Sequence, residues 1–300
     1  MYAISFNTYI SRRLSHKAAP PVRPNRLGIL GLGAIGGSLA RQAKAAGIGR
    51  VVGWSPEPAE RVAAVQQGAL DDAPHTAAEV AARAELLVLA APPAANLELL
   101  ARLGPRLPAG ALVTDTGSVK RAAVARAEAL GLGARFAGSH PLAGTERNGF
   151  EASRADLFRG AVVYVTPARG GEAAAREIAH FWEDVCGAQP VVMEAAAHDA
   201  QVAVTSHVPQ IVASLLGQYL MRHLPPGAGL GPGARDSTRL AGGEPRLWTE
   251  ILLMNRDEIL PALRALEEPL GELVRALEAG DAEAVREWLA AASRWRRGLA

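Results

Sequence analysis

The sequence predicts an α/β chain: an open, mainly parallel sheet domain followed by an all-helical domain. Three observations predict it. Short apolar runs recur up to Met193, at "NRLGIL", "RVVGW", "ELLVLA", "ALVTD", "ARFAG", "AVVYV" and "PVVM". Stretches rich in Ala and Leu separate most of them at βαβ spacing. From Ala195 onward the alternation stops and long apolar-rich runs take over, the pattern of a helical bundle.

Taken in order, residues 1–24 hold Arg12, Arg13, His16 and Lys17 and then three prolines, but no apolar core of the roughly 7–15 residues a signal peptide needs. They are expected to form a flexible tail. The sheet domain is expected over 25–193. Its first strand, Leu27 to Leu30, runs into Gly31, Gly33 and Gly36, a G-x-G-x-x-G turn, and a helix then continues to Gly47. The first glycine permits a tight turn, the second lets a pyrophosphate approach the backbone, and the third lets helix and strand pack closely. Phosphates then sit at a helix N-terminus, where unpaired N–H groups and the helix dipole favour negative charge. The strand–turn–helix order makes this a Rossmann-like dinucleotide site rather than a merely structural glycine turn. Ala34 and Ile35 within the turn, and Ala91 and Pro92 at the exit of the third strand, complete the candidate cofactor contacts.

The second strand ends in "WSPEP". An acidic residue about 20 positions past the glycines ordinarily holds the ribose hydroxyls of NAD. Ser55 occupies that place; Arg61 can approach a 2′-phosphate, whereas Glu57 repels one. NAD is expected, with NADP possible. Pro92 and Pro93 stop the third strand. The fourth leads into "DTGSVK", followed by a helix over about Val119 to Leu130, and the fifth ends in "GSHPLAG". Ligands bind beyond the carboxyl ends of such strands, so Ser118 and His140 are expected to face one crevice. Residues alone leave two readings of His140, a catalytic base or a loop histidine beside Pro141. Ser118 likewise reads as a helix N-cap.

The helical domain, 194–300, opens with a run broken locally at Pro209, then a loop, "PPGAGLGPGARD", then several helices. Its surplus of Leu, Val and Ala predicts a homodimer interface. With 49% hydrophobic and 21% charged residues and a net charge of +2, the composition is that of a folded chain with no call for nucleic acid. No run reaches the roughly 18 apolar residues of a membrane span, so the expected compartment is the cytoplasm. Cys186 is the only cysteine, which excludes an intramolecular disulfide, and His198 and His207, nine residues apart, do not make an H-x-x-x-H metal pair, so no metal is expected.

The segments "ILGLGAIGGSLA", "DTGSVK", "GSHPLAGTE", "HDAQVAVTSHVPQ" and "RDSTRLAGGEPRLW" stand in one order on one chain. Together they resemble the prephenate and arogenate dehydrogenase family of tyrosine biosynthesis. The resemblance implies a nicotinamide-dependent oxidative decarboxylation of prephenate, or of arogenate, its amino-acid counterpart. It implies that His140 accepts the hydroxyl proton of the substrate, that Ser118 hydrogen-bonds the hydroxyl and the histidine, and that Arg239 grips a carboxylate with its rigid fork. Thr145 and Glu146 would line the pocket, Glu146 as a gate or as a neighbour that shifts the histidine's pKa; its other reading is a first-turn helix charge. Arg239 reads alternatively as a surface arginine paired with Asp236, and Trp248 as pocket support or as core. His207 is read as a pocket wall and His198 as a local structural residue.

Two departures stand out. Gln210 replaces the histidine that prephenate-preferring members often carry after "SH.P", and Ser55 replaces the ribose-binding acid. A fused chorismate mutase or tyrosine-sensing domain is not expected, so inhibition by tyrosine would act at the active site. The β-hydroxyacid dehydrogenases share the architecture but rely on a lysine in the helical half, and Lys120 is the last lysine of this chain. A non-catalytic nucleotide sensor would need the glycines but not Ser118, His140 and Arg239 together.

Overall fold

The computed structural model describes residues 23–144, 147–225 and 227–298; most of the expected tail lies outside them. The chain forms two compact units, residues up to Gln201 with Gly242–Met254, and Val202–Ala241 with Asn255–Ala300.

The first unit holds β1 (Arg26–Leu30), α1 (Ala34–Ala45), β2 (Arg50–Trp54), α2 (Pro58–Gln66), α3 (Ala77–Ala81), β3 (Leu86–Leu89), α4 (Pro93–Leu103), β4 (Leu112–Asp115) and α5 (Arg121–Ala129). It continues with β5 (Ala137–Pro141), β6 (Val162–Pro167), α6 (Glu172–Cys186), β7 (Gln189–Val192) and α7 (Ala195–Val202). Strands β2-β1-β3-β4 form a parallel sheet and β5-β6-β7 a second, mixed one, and a parallel bridge from Val113 to Phe136 sets β5 beside β4. The helices cover both faces. Leu27, Ile29, Leu86 and Val88 pack with Leu39 of α1 and Trp182 of α6, while Leu87, Leu89 and Val113 pack with Val80, Leu99 and Ala123 of α3, α4 and α5. Burial on two faces explains why these strands read as continuous apolar runs rather than alternating ones.

One pairing departs from a parallel sheet: β5 and β6 are antiparallel, with His140 opposite Tyr164. Between Pro141 and Val162 the described residues form only a single-turn 3-10 helix, Phe150–Ala152. A parallel return needs a crossover element, and an antiparallel one does not.

Two helix boundaries differ from the sequence expectation. The helix after "DTGSVK" starts at Arg121, so Ser118 lies in the preceding bend and is not its N-cap. The stretch read as loop up to Asp236 turns helical at Pro232, where proline suits a first turn.

The second unit contains α8 (Val208–His223), α9 (Pro232–Thr238), α11 (Arg256–Arg264), α12 (Glu267–Glu278) and α13 (Ala282–Arg297); α10 (Pro245–Met254) belongs with the first, where Ala94 N donates to Glu250 Oε2 at 3.1 Å. Pro209 does not break the run. It stands in the first turn of α8, directly after a π-helical turn over Ala203–His207. No helix among the described residues is long and apolar enough to cross a membrane.

Candidate active site

The glycine turn is a backbone cradle. Gly31 has φ of 100°, and a Cβ there would lie 2.5 Å from Ala90 O. A Cβ on Gly36 would lie 1.9 Å from Gly31 O, so only glycine lets α1 come this close to the end of β1. A Cβ on Gly33 would meet nothing within 4 Å. It would point into open space, where a ligand can approach the main chain. Ala34 and Ile35 open α1, whose first-turn N–H groups have no partners within the helix. A cavity of about 560 Å³ spreads from Gly31 and Gly33 past Ala91 and Pro92 to Trp54, Ser55, Glu57 and Glu60. Asn96 Oδ1 accepts from Ala91 N at 3.0 Å and fixes the rim at the exit of β3. A dinucleotide fits this arrangement, with pyrophosphate on the cradle and adenosine ribose at the end of β2.

At that ribose end the residues are already engaged with each other. Ser55 Oγ donates to Glu60 Oε2 at 2.5 Å, and Arg61 Nη1 donates to Ser55 O at 2.6 Å. Glu60 is a cavity residue that sequence reasoning leaves out. The signal was present: Glu60 lies in the first turn of α2, the helix that follows Ser55.

The second cluster stands at the same carboxyl end of the sheet, because β5 runs parallel to β4. His140 is 9% exposed and the preceding Ser139 is fully buried. Ser139 Oγ lies 2.7 Å from Thr114 Oγ1 and accepts from Trp182 Nε1 at 2.9 Å, which ties β5 to β4 and α6. Lys120, fully buried, donates to Asp115 Oδ2 at 2.6 Å and to Ser139 O at 2.7 Å. The ion pair closes "DTGSVK" on itself, and the bond from Lys120 to Ser139 O fastens that turn to "GSHP", which carries His140. Burial pushes the Lys120 ammonium below its usual range, and the carboxylates of Asp115 and Asp199 oppose that shift.

His140 has a partner 58 residues away in the chain. Its Nδ1 lies 2.8 Å from Nε2 of His198, and His198 Nδ1 lies 2.8 Å from Asp199 Oδ1. The two imidazoles meet edge to face, centroids 5.0 Å apart, and the Tyr164 ring closes on His198 at 5.5 Å. Asp199 also accepts from Lys120 N at 2.8 Å and Arg121 N at 3.0 Å, so a side chain of α7 caps α5. Burial pushes the His198 pKa down, which favours the neutral ring, while the bond to Asp199 opposes the shift. Burial works against the charge of Asp199, yet the hydrogen bonds from His198, Arg121 and Lys120 hold its carboxyl below the usual value. His198 is therefore no isolated structural histidine. Its clue in the sequence was an adjacent acid, "HD", on a helix with no solvent-facing need for either residue.

In the second unit, His207 is buried and its Nδ1 lies 3.1 Å from Asn255 Nδ2, so the amide donates. Gln210, also buried, donates to Ser214 Oγ at 3.5 Å. Arg239 is exposed on the 3-10 turn after α9. Trp248 is half-buried on α10, in the first unit. Thr145 and Glu146 lie outside the described residues.

Comparison with known proteins identifies the family. Residues 39–192 match the model of the prephenate dehydrogenase nucleotide-binding domain, and residues 194–291 that of the prephenate dehydrogenase dimerization domain. The chain is 34% identical over 270 residues to a cyclohexadienyl dehydrogenase of Zymomonas mobilis, covering 87% of this chain and 91% of that one. It is 32% identical to a prephenate dehydrogenase of Bacillus subtilis, covering 90% and 75%. Among solved structures, a prephenate dehydrogenase from A. aeolicus in complex with hydroxyphenyl propionate and NAD+ superposes with a TM-score of 0.86 at 30% identity, covering 94% of this chain and all of that one. A Synechocystis arogenate dehydrogenase gives 0.77 at 28%, covering 92% and 100%. The chain belongs to the prephenate dehydrogenase family of NAD(P)-dependent oxidoreductases.

Proposed function

We propose that this chain oxidises and decarboxylates prephenate to 4-hydroxyphenylpyruvate with NAD, and that His140 is the proton acceptor. The observation that carries the reading is the placement of a nearly buried imidazole on β5 at the sheet end that also bears the glycine cradle. The bound nicotinamide supplies the acceptor for the hydride leaving the hydroxyl-bearing carbon. The chain does the rest. His140 takes the hydroxyl proton near pH 7, Ser118 orients the hydroxyl, and Arg239 holds a carboxylate. The ring carboxylate leaves as carbon dioxide and the ring becomes aromatic. Thr145, Glu146, His207 and Trp248 are proposed to shape the pocket.

NAD is favoured over NADP by Glu57 and Glu60 beside Ser55: a 2′-phosphate placed there meets two carboxylates. Arogenate is the second reading. Gln210 favours it, since a neutral amide at this buried position brings no positive charge to a pyruvyl side chain. The domain named for dimerization and the exposed Leu215, Tyr219, Met221, Leu270, Leu277 and Trp295 support a homodimer, which light scattering would report as twice the chain mass. The test of function is cofactor reduction with prephenate and arogenate, each paired with NAD and NADP. Turnover of prephenate with NAD, at least about tenfold better than with NADP, is expected. Turnover of arogenate alone moves the chain to the second reading, and none in four pairings overturns both.

A further inference from the structure

The hydrogen bonds behind His140 determine where its proton sits. A carboxylate only accepts hydrogen bonds. Asp199 already takes the N–H groups of Lys120 and Arg121, and His198 Nδ1 lies 2.8 Å from its Oδ1. That nitrogen therefore bears hydrogen. A neutral imidazole has one N–H, so His198 Nε2 presents a lone pair. His140 Nδ1 stands 2.8 Å from that lone pair and must donate to it. In neutral His140 the accepting nitrogen is then Nε2. Asp199 itself is held by the backbone of α5, so with His198 neutral the sequence of donors and acceptors has one solution.

We infer that His198, oriented by Asp199, is a positioning residue that locks His140 in its Nδ1–H tautomer and supports the imidazolium formed in turnover. The inference rests on His140 as the proton acceptor. In the step, the substrate O–H bond breaks and its proton joins His140 Nε2, while the ring gives up its hydride and carbon dioxide; a nicotinamide held on the glycine cradle would supply the hydride acceptor. His140 gains one positive charge. Its Nδ1–H already points at the His198 nitrogen, and that ring is backed by the Asp199 carboxylate, so the charge arises against one ordered acceptor whose far side is held by an anion. The proton later leaves from Nε2 to solvent, and His198 ends as it began. Other groups bear on the pair: Asp115, Lys120 and Arg121 from β4 and the start of α5, and Tyr164 from β6. The 2.8 Å contact to His198 Nε2 engages His140 Nδ1.

The experiment is a two-bond proton–nitrogen correlation spectrum of the full chain labelled on its histidine rings, for the unaltered protein, H198Q and H198L, with steady-state kinetics and melting temperatures on the same samples. Gln places an amide oxygen where Nε2 was and keeps the acceptor; Leu removes it. The unaltered protein and H198Q are expected to show His140 protonated on Nδ1. H198L is expected to lose that single tautomer and to fall about a hundredfold in kcat with little change in KM, while H198Q stays within about tenfold. His140 protonated on Nε2 in the unaltered protein overturns the inference. So does an H198L variant with full kcat, or an H198Q variant that melts normally yet is as slow as H198L. The tautomer is read without turnover, so a failure of His140 as base, visible as an active H140N variant, is distinguishable from a failure of the lock.

Discussion

The glycine cradle and the His140 cluster lie at the same carboxyl end of two adjoining sheets but are made in opposite ways. The cradle is local and built from main chain: Gly31 to Gly36 fold on themselves, and the side chains matter by their absence. The cluster is non-local and built from side chains. His140 comes from β5, His198 and Asp199 from α7, Lys120 from the turn after β4, and Trp182 from α6. A local backbone site tolerates change in its surroundings and fails when one Cβ is added. A side-chain network fails wherever one buried polar partner is removed.

That contrast can be broken first at Lys120. Replacing it with Met leaves the Asp115 carboxylate buried without its cation, and breaking such a pair costs about 3–5 kcal/mol. Urea unfolding of K120M should show that loss; an unchanged midpoint would show that the buried Lys120 does not hold the two loops. G36A comes next. Its Cβ meets Gly31 O, so about 1–3 kcal/mol of stability should go, together with NAD binding. G33A sharpens the comparison, because its Cβ enters open space. Stability should stay within about 0.5 kcal/mol while calorimetry reports NAD affinity weakened by about tenfold or more. Equal stability losses in G33A and G36A would refute the separate roles of the two glycines.

The smallest effect is in the pH dependence of stability. The folded pKa of His198 is depressed by burial, whereas an unfolded histidine titrates near about 6.5. The unfolded chain therefore takes up a proton that the folded form refuses. This contribution is fully present above about pH 6.5 and is lost as pH falls toward the depressed value, at no more than about 1.4 kcal/mol per pH unit. H198Q should flatten the slope of stability between about pH 7 and pH 5, and an unchanged slope would place the proton uptake elsewhere.

The same contrast explains what was legible in the sequence. The strand runs, the glycine spacing and the helical half are periodic or local, so β1 to β7 and the cradle were readable from neighbours in the chain. The antiparallel turn from β5 to β6 was not, because it depends on what does not form between Pro141 and Val162. Ser118 read as a cap because the acid that caps α5, Asp199, lies 79 residues from Lys120. His198 read as structural because its partner is 58 residues away in sequence and 2.8 Å away in space. Glu60 is hard to read for a milder reason: the acid stands in the first turn of α2 and not at the end of β2, with Ser55 between.

The central claim is that His140 takes the substrate proton. The most direct measurement is the rate of cofactor reduction with prephenate and NAD in H140N beside the unaltered protein, with NAD affinity measured separately on both. The account predicts kcat reduced about 10²–10⁴-fold with NAD bound as before. An H140N variant that turns over at the normal rate would contradict it.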